Sequence, residues 1–133
     1  MTQRAILCVD DEMMIISTLK TTLKREFGES FIYEHALNAE DALDTIDDLV
    51  RKKIEILIII SDWLMPGMKG DEFLIKVFEK YPKIPAVMLT GLIDEESEEK
   101  IKQYPNMLKV IHKPWAAKEL LTVVRSVCKE ERC

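Results

Sequence analysis

The stretch Ile54-Glu-Ile-Leu-Ile-Ile-Ile-Ser-Asp-Trp-Leu-Met-Pro-Gly-Met-Lys-Gly70 decides the fold. It opens as a run of β-branched and aliphatic residues, too short for an independent helix and apolar on both faces. Such a run suits a central strand of a parallel sheet covered on each side. The run stops at Asp62, and Pro66, Gly67 and Gly70 keep the next residues in loop until a helical pattern begins at about Asp71. A carboxylate at the carboxyl end of a buried parallel strand lies at the rim where open α/β sheets bind ligands. Asp62 is therefore the first candidate for chemistry.

Upstream, Ala5 to Val9 reads as a short buried strand ended by the acidic triplet Asp10-Asp11-Glu12. Met13, Ile16, Leu19, Leu23 and Phe27 then recur at helical spacing until Gly28. Phe31 to Ala36 is a more polar strand, as an edge strand can be. Asn38 is placed to cap a helix over Ala39 to Arg51 with Ala42, Leu43, Ile46, Leu49 and Val50 on its apolar face.

Downstream, a helix from about Asp71 to Tyr81 buries Phe73, Leu74, Val77 and Phe78, and Pro82 and Pro85 bracket a turn into a strand ending at Thr90. Asp94 opens a helix thin in apolar residues, the one expected to be most exposed and mobile, whose acids suit a helix start. Met107 to His112 is a fifth strand, Lys113-Pro114-Trp115 a turn, and Ala116 to about Glu130 a last helix. Strands alternating with helices predict an α/β fold, (βα)5, with a doubly wound five-stranded parallel sheet. The right-handed crossover rule favours the flavodoxin-like order 2-1-3-4-5. In that order Asp10, Asp11 and Asp62 meet in one crevice.

At 133 residues the chain suits one domain, read as 1–133 with its core over about 5–129. Cys8, Cys128 and Cys133 are odd in number and lack C-x-x-C spacing, so they support neither a disulfide framework nor a zinc site. Cys8 reads as a core residue and Cys133 as a free exposed thiol, a usage that fits a reducing cytoplasm. There is no basic-then-apolar leader and no apolar run long enough to span a membrane. A net charge of −5 argues against direct nucleic-acid binding, which needs clustered Lys and Arg.

Three carboxylates in one crevice repel: two unit charges 4 Å apart cost roughly 4 kcal/mol at an effective dielectric of about 20. Raised pKa values, a cation or a lysine would relieve this. Hard oxygen ligands in a partly open site suit Mg²⁺, or Mn²⁺ in its place. Lys113 and Thr90 end strands on the same rim. Together these residues read as a phosphoryl site, with Asp62 able to form an acyl phosphate while Lys113 and Thr90 meet phosphoryl oxygens.

The acidic pair Asp10-Asp11, the loop Asp62-x-x-Met65-Pro66-x-x-x-Gly70, Thr90-Gly91 and Lys113-Pro114 are weak signals singly and specific in this order and spacing. Over about Ala5 to Lys129 the chain resembles the response-regulator receiver domain. The resemblance implies that Asp62 accepts phosphate from a histidine kinase or a phosphotransfer protein. It implies that Asp11 and Asp62 hold Mg²⁺ with the backbone carbonyl of Leu64, that Asp10 acts through water, and that the bond before Pro114 is cis. It also implies a cytoplasmic switch, not a turnover enzyme, in which phosphorylation shifts the face of helix 4, strand 5 and helix 5 toward a downstream effector.

Two departures stand out. Many receivers carry Tyr or Phe three residues before the lysine; here that residue is Val110, which cannot perform the ring movement of an aromatic–threonine switch. The positions that tune water access are Leu64 and Leu92, both apolar, which predicts slow hydrolysis of the phosphoryl group.

Taken alone, Asp10-Asp11 fits a helix-start pair, Thr90 a strand end, Lys113-Pro114 a turn, and Trp63 and Trp115 packing or partner contacts. A phosphohydrolase of the haloacid-dehalogenase type would need an Asp-x-Asp nucleophile on strand 1, where this chain offers Asp-x-Glu. A pseudo-receiver working without phosphorylation would not need the intact acids, threonine and lysine. The chain ends about where helix 5 should, which fits a stand-alone receiver or a piece of a longer regulator. Homodimerisation through the last faces is compatible with this reading, with no residue signature to mark it.

Overall fold

The computed structural model describes residues 3–128. Its central strands explain the layers. In β1 (Arg4–Val9), Ala5, Leu7 and Val9 join one apolar cluster while Ile6 and Cys8 join the other, so alternate residues feed opposite faces of the sheet. In β3 (Glu55–Asp62) every residue after Glu55 is buried, as expected for a strand covered on both sides. Its pairing with β1 slips between Ala5 and Ile6, so Leu57 is the extra residue of a bulge and Leu57 and Ile58 both serve the same cluster.

The remaining strands are β2 (Ile32–Ala36), β4 (Ala86–Thr90) and β5 (Met107–His112), and all pairs are parallel in the order β2-β1-β3-β4-β5. The predicted fold class and topology hold. β2 is the polar edge strand expected; it starts one residue later than the pattern suggests, after a 3₁₀ turn at Gly28–Ser30.

The helices are α1 (Met13–Phe27), α2 (Ala39–Arg51), α3 (Gly70–Lys80), α4 (Glu95–Lys102) and α5 (Ala117–Cys128). α1 and α5 cover one face through Ile16, Leu19, Leu23, Leu120 and Val124, and α2, α3 and α4 cover the other through Ile46, Phe73, Leu74, Val77 and Ile101. Asn38 caps α2 by accepting the Asp41 amide at 2.8 Å, and Asp94 caps α4 by accepting the Ser97 amide at 2.7 Å. Val50, expected inward, is 39 % exposed, because it faces a groove at the end of α2.

α4 bears out the expectation of thin anchoring: it buries only Ile101, whereas α3 buries Phe73, Leu74, Val77 and Phe78. One full aliphatic burial is worth about 1.5–3 kcal/mol, so α4 is held by a fraction of what holds α3. Cys8 is a buried free thiol, its pKa pushed up to about 12 chiefly by burial. Cys128 is buried at the end of α5. The proposed end of the last helix near Glu130, and Cys133, lie outside the described residues.

Candidate functional site

β1 and β3 are neighbours in register, with Val9 opposite Ser61, so the residues that follow them emerge side by side. Asp10 is 1 % exposed and Asp62 7 % exposed, while Asp11 faces solvent. A ligand oxygen from each of Asp10, Asp11 and Asp62 lies within 4.8 Å of the others. The acids about fifty positions apart in sequence do converge.

Lys113 arrives from the end of β5. Its amide donates to the Thr90 carbonyl at 2.7 Å and the Lys113–Pro114 bond is cis, the isomer the resemblance implied. Its ammonium sits 3.2 Å from Asp62 Oδ1 and 3.6 Å from Asp10 Oδ2. One cation therefore faces three carboxylates. The imbalance registers at Asp10, whose pKa is pushed from 3.8 up to about 6, mainly by burial and further by Asp62 and Asp11. The Glu12 amide, donating to Asp10 Oδ1 at 2.9 Å, and Lys113 oppose the rise without cancelling it.

Thr90 ends β4 and is 1 % exposed. Its Oγ1 accepts the Leu92 amide at 3.1 Å, so the hydroxyl proton stays available for donation. Leu64, 63 % exposed, and Leu92, 79 % exposed, flank a cavity of about 510 Å³ lined also by Asp11, Asp62, Met65 and Lys113. Val110 is buried against the α4 side of the sheet, opposite Met88 of β4.

The loop after Asp62 is held by contacts the sequence did not disclose. Gly70 donates its amide to the Trp63 carbonyl at 2.8 Å, and a Cβ there would lie 2.2 Å from the Asp62 carbonyl oxygen and 2.7 Å from Trp63 Cα. Only a residue without a Cβ lets α3 begin that close to the acid. Trp63 is buried, donates its indole N–H to Asp71 Oδ1 at 3.0 Å, and carries the Lys69 ammonium 5.0 Å above its ring. Trp63 thus packs, one of the two roles expected of it, and its buried partner Asp71 is marked in the sequence only as the start of a helical pattern. Met65 is buried, as expected. Trp115 is partly buried against the α1 and α5 side.

The donor set fits a hard divalent cation: three carboxylates, two of them buried, with a repulsion that one lysine leaves partly uncompensated. Among the described residues no helix is long and apolar enough to cross a membrane.

Comparison with known proteins agrees with this geometry. The family model described as "Response regulator receiver domain" matches residues 6–125. The chain is 31% identical over 123 residues to the hydrogenase transcriptional regulatory protein HoxA of Cupriavidus necator, covering 92% of this chain and 24% of that protein. It is 34% identical over 87 residues to a chemotaxis protein CheY homologue of Campylobacter jejuni, covering 64% of this chain and 62% of that one. The chain thus spans about a quarter of the first relative and less than two thirds of the second. The signal receiver domain of an HD domain-containing protein from Pseudomonas fluorescens superposes with a TM-score of 0.81 at 26% identity, over 96% of this chain and 95% of that one.

Proposed function

Because this chain belongs to the response regulator receiver domain family, we propose that Asp62 is the acceptor of a phosphorelay. A carboxylate oxygen of Asp62 attacks the phosphorus of a phosphohistidine on a sensor histidine kinase or a phosphotransfer protein. The new O–P bond makes an aspartyl phosphate as the P–N bond breaks, and the electron pair returns to the departing imidazole. The observation that carries the reading is the Lys113 ammonium 3.2 Å from Asp62 Oδ1, within a cluster of three acids.

Lys113 pairs with the acceptor before transfer and with phosphoryl oxygens after it, so its charge stays compensated throughout. Thr90 offers its hydroxyl proton to the same group. Asp11, Asp62 and the Leu64 backbone carbonyl would hold Mg²⁺, or Mn²⁺ in its place, with Asp10 acting through water, and the ion when bound would neutralise phosphoryl charge. The raised pKa of Asp10, set mainly by burial and further by Asp62 and Asp11, supports this assignment, since a bound cation would favour the carboxylate form.

The family is one of signalling domains, and we read this chain as a carrier of signal and not a turnover enzyme. Phosphorylation would bias the face formed by α4, β5 and α5 between two states and so act on a downstream effector domain or protein. The single burial that anchors α4 supports its being the element that shifts. A net charge of −5 supports output through protein and not direct nucleic-acid contact. We place the activity in the cytoplasm, where ATP supplies the donor kinase, and treat residues 1–133 as one receiver domain; self-association through the last faces fits the same reading.

The test is mass spectrometry after incubation with acetyl phosphate and Mg²⁺. One added phosphoryl mass on the wild type and none on Asp62→Asn is expected. Equal labelling of both chains would defeat the assignment.

A further inference from the structure

At the edge of the sheet opposite Asp62, a groove of about 760 Å³ opens between the ends of α2, α3 and α5. That volume lies in the range of small-ligand sites, roughly 300–1,000 Å³. Val50, Ile54, Ile56, Ile84, Pro85 and Val127 supply apolar lining, and Val50 stands exposed there.

Among the described residues, three lysines, Lys53, Lys80 and Lys83, line the same groove against a single carboxylate, Glu55. Lys80 is already neutralised by Asp47 at 3.0 Å. The ammonium groups of Lys53 and Lys83 have no ion-pair partner among the described residues. In a chain of net charge −5, this apolar groove with uncommitted cations at its mouth is complementary to an amphipathic anion.

A second observation concerns Lys53 itself. It closes α2 with φ 64, its amide donating to the Val50 carbonyl at 3.0 Å while the Ile54 amide reaches the Leu49 carbonyl at 2.9 Å. This left-handed helix closure favours glycine, because a Cβ is sterically disfavoured there. The chain instead places a long cation at that corner, on the groove.

We infer that the groove at the amino edge of the sheet binds a small amphipathic carboxylate, its hydrocarbon on the apolar lining and its head between Lys53 and Lys83. Charge at the head and apolar area in the body are both required, so a neutral analogue of equal length binds more weakly. The site is separate from the acid cluster and independent of phosphoryl chemistry.

Decanoate, kept below its self-association concentration, is titrated into the full chain while amide resonances are followed by NMR. Saturable shifts at Ile54, Glu55, Ile84 and Ser126 are expected, with 1-decanol at least about fivefold weaker. Lys53→Asn keeps a residue tolerated in the left-handed region but removes the charge, and should weaken decanoate about tenfold, the loss of one charge-assisted contact. Lys83→Gln, on an exposed loop, should act in the same direction. Lys53→Gly should raise the melting temperature yet still lose affinity, a combination that a purely structural lysine does not produce. No saturable shift at this edge, equal binding of decanol, or unchanged affinity in Lys53→Asn and Lys83→Gln would each overturn the inference.

Discussion

The two edges of the sheet share their strands and differ in almost everything else. At the carboxyl edge, β1, β3 and β4 deliver Asp10, Asp62 and Thr90 into near-complete burial, and one lysine faces three acids. At the amino edge, the exposed Glu55 begins β3, and the neighbouring groove is apolar with lysines at its mouth. Helix direction accounts for part of the contrast. In a parallel (βα) fold each helix starts near the carboxyl edge and ends near the amino edge, so helix ends favouring anions gather at one side and ends favouring cations at the other. The carboxyl edge nonetheless carries acids where the backbone would welcome a phosphate. Those acids are costly in the resting protein and sensible if a cation and a phosphoryl group occupy the same crevice.

The most severe way to break this contrast is Asp62→Asn, which should abolish phosphoryl uptake from acetyl phosphate while leaving the melting temperature at or above that of the wild type, because an acid is removed from a repulsive cluster.

The next effect is on stability and pH. Asp10 titrates at about 6 in the folded chain against 3.8 ordinarily. Between those values the folded protein keeps a proton that the unfolded chain has released. Stability therefore falls as pH rises from about 4 through about 6, with the full penalty, about 3 kcal/mol, present above that window. Asp10→Asn should remove the dependence and raise stability at pH 7 by an amount of that order, read from urea melts without divalent cations. Mg²⁺ should stabilise the wild type more at pH 7.5 than at pH 5, since it competes with the proton for Asp10. A flat wild-type profile over this range would remove the evidence of strain at the carboxyl edge.

Gly70→Ala places a Cβ against the Asp62 carbonyl and should cost about 1–3 kcal/mol, while Gly91→Ala, with nothing within 4 Å of its Cβ, should cost little. Comparable melts for the two variants would mean that the acid loop is not pinned by α3. The smallest effect is expected of Leu64→Asn, which should speed loss of the phosphoryl group a few-fold without altering stability; an unchanged dephosphorylation rate would discard the role given to apolar residues at the rim.

Much of this architecture is visible in the chain itself, for identifiable reasons. The unbroken apolar run of β3 and the acid that ends it report burial on two faces and a position at the rim, since no other common environment wants both. Asn38 and Asp94 announce caps because a side-chain oxygen next to an amphipathic run has few other uses. The bulge at Leu57 escaped because the surrounding residues are all aliphatic, so a one-residue slip leaves the pattern unchanged. Helical spacing puts Val50 inward and cannot reveal the groove that opens beside the end of α2. Asp71 resembled any acid in a first helical turn until the Trp63 indole was placed beside it.

Residue types and their order along the chain were sufficient to assign the strand sequence, the crevice and its acids, because periodicity, breakers and charge are local quantities. Distances were not: the separation of Lys113 from Asp62, the raised pKa of Asp10, the absence of room for a Cβ at position 70 and the lysine-lined groove all depend on which surfaces are brought face to face. Desolvation and steric exclusion act between residues remote in sequence, and only packing in three dimensions sets their size.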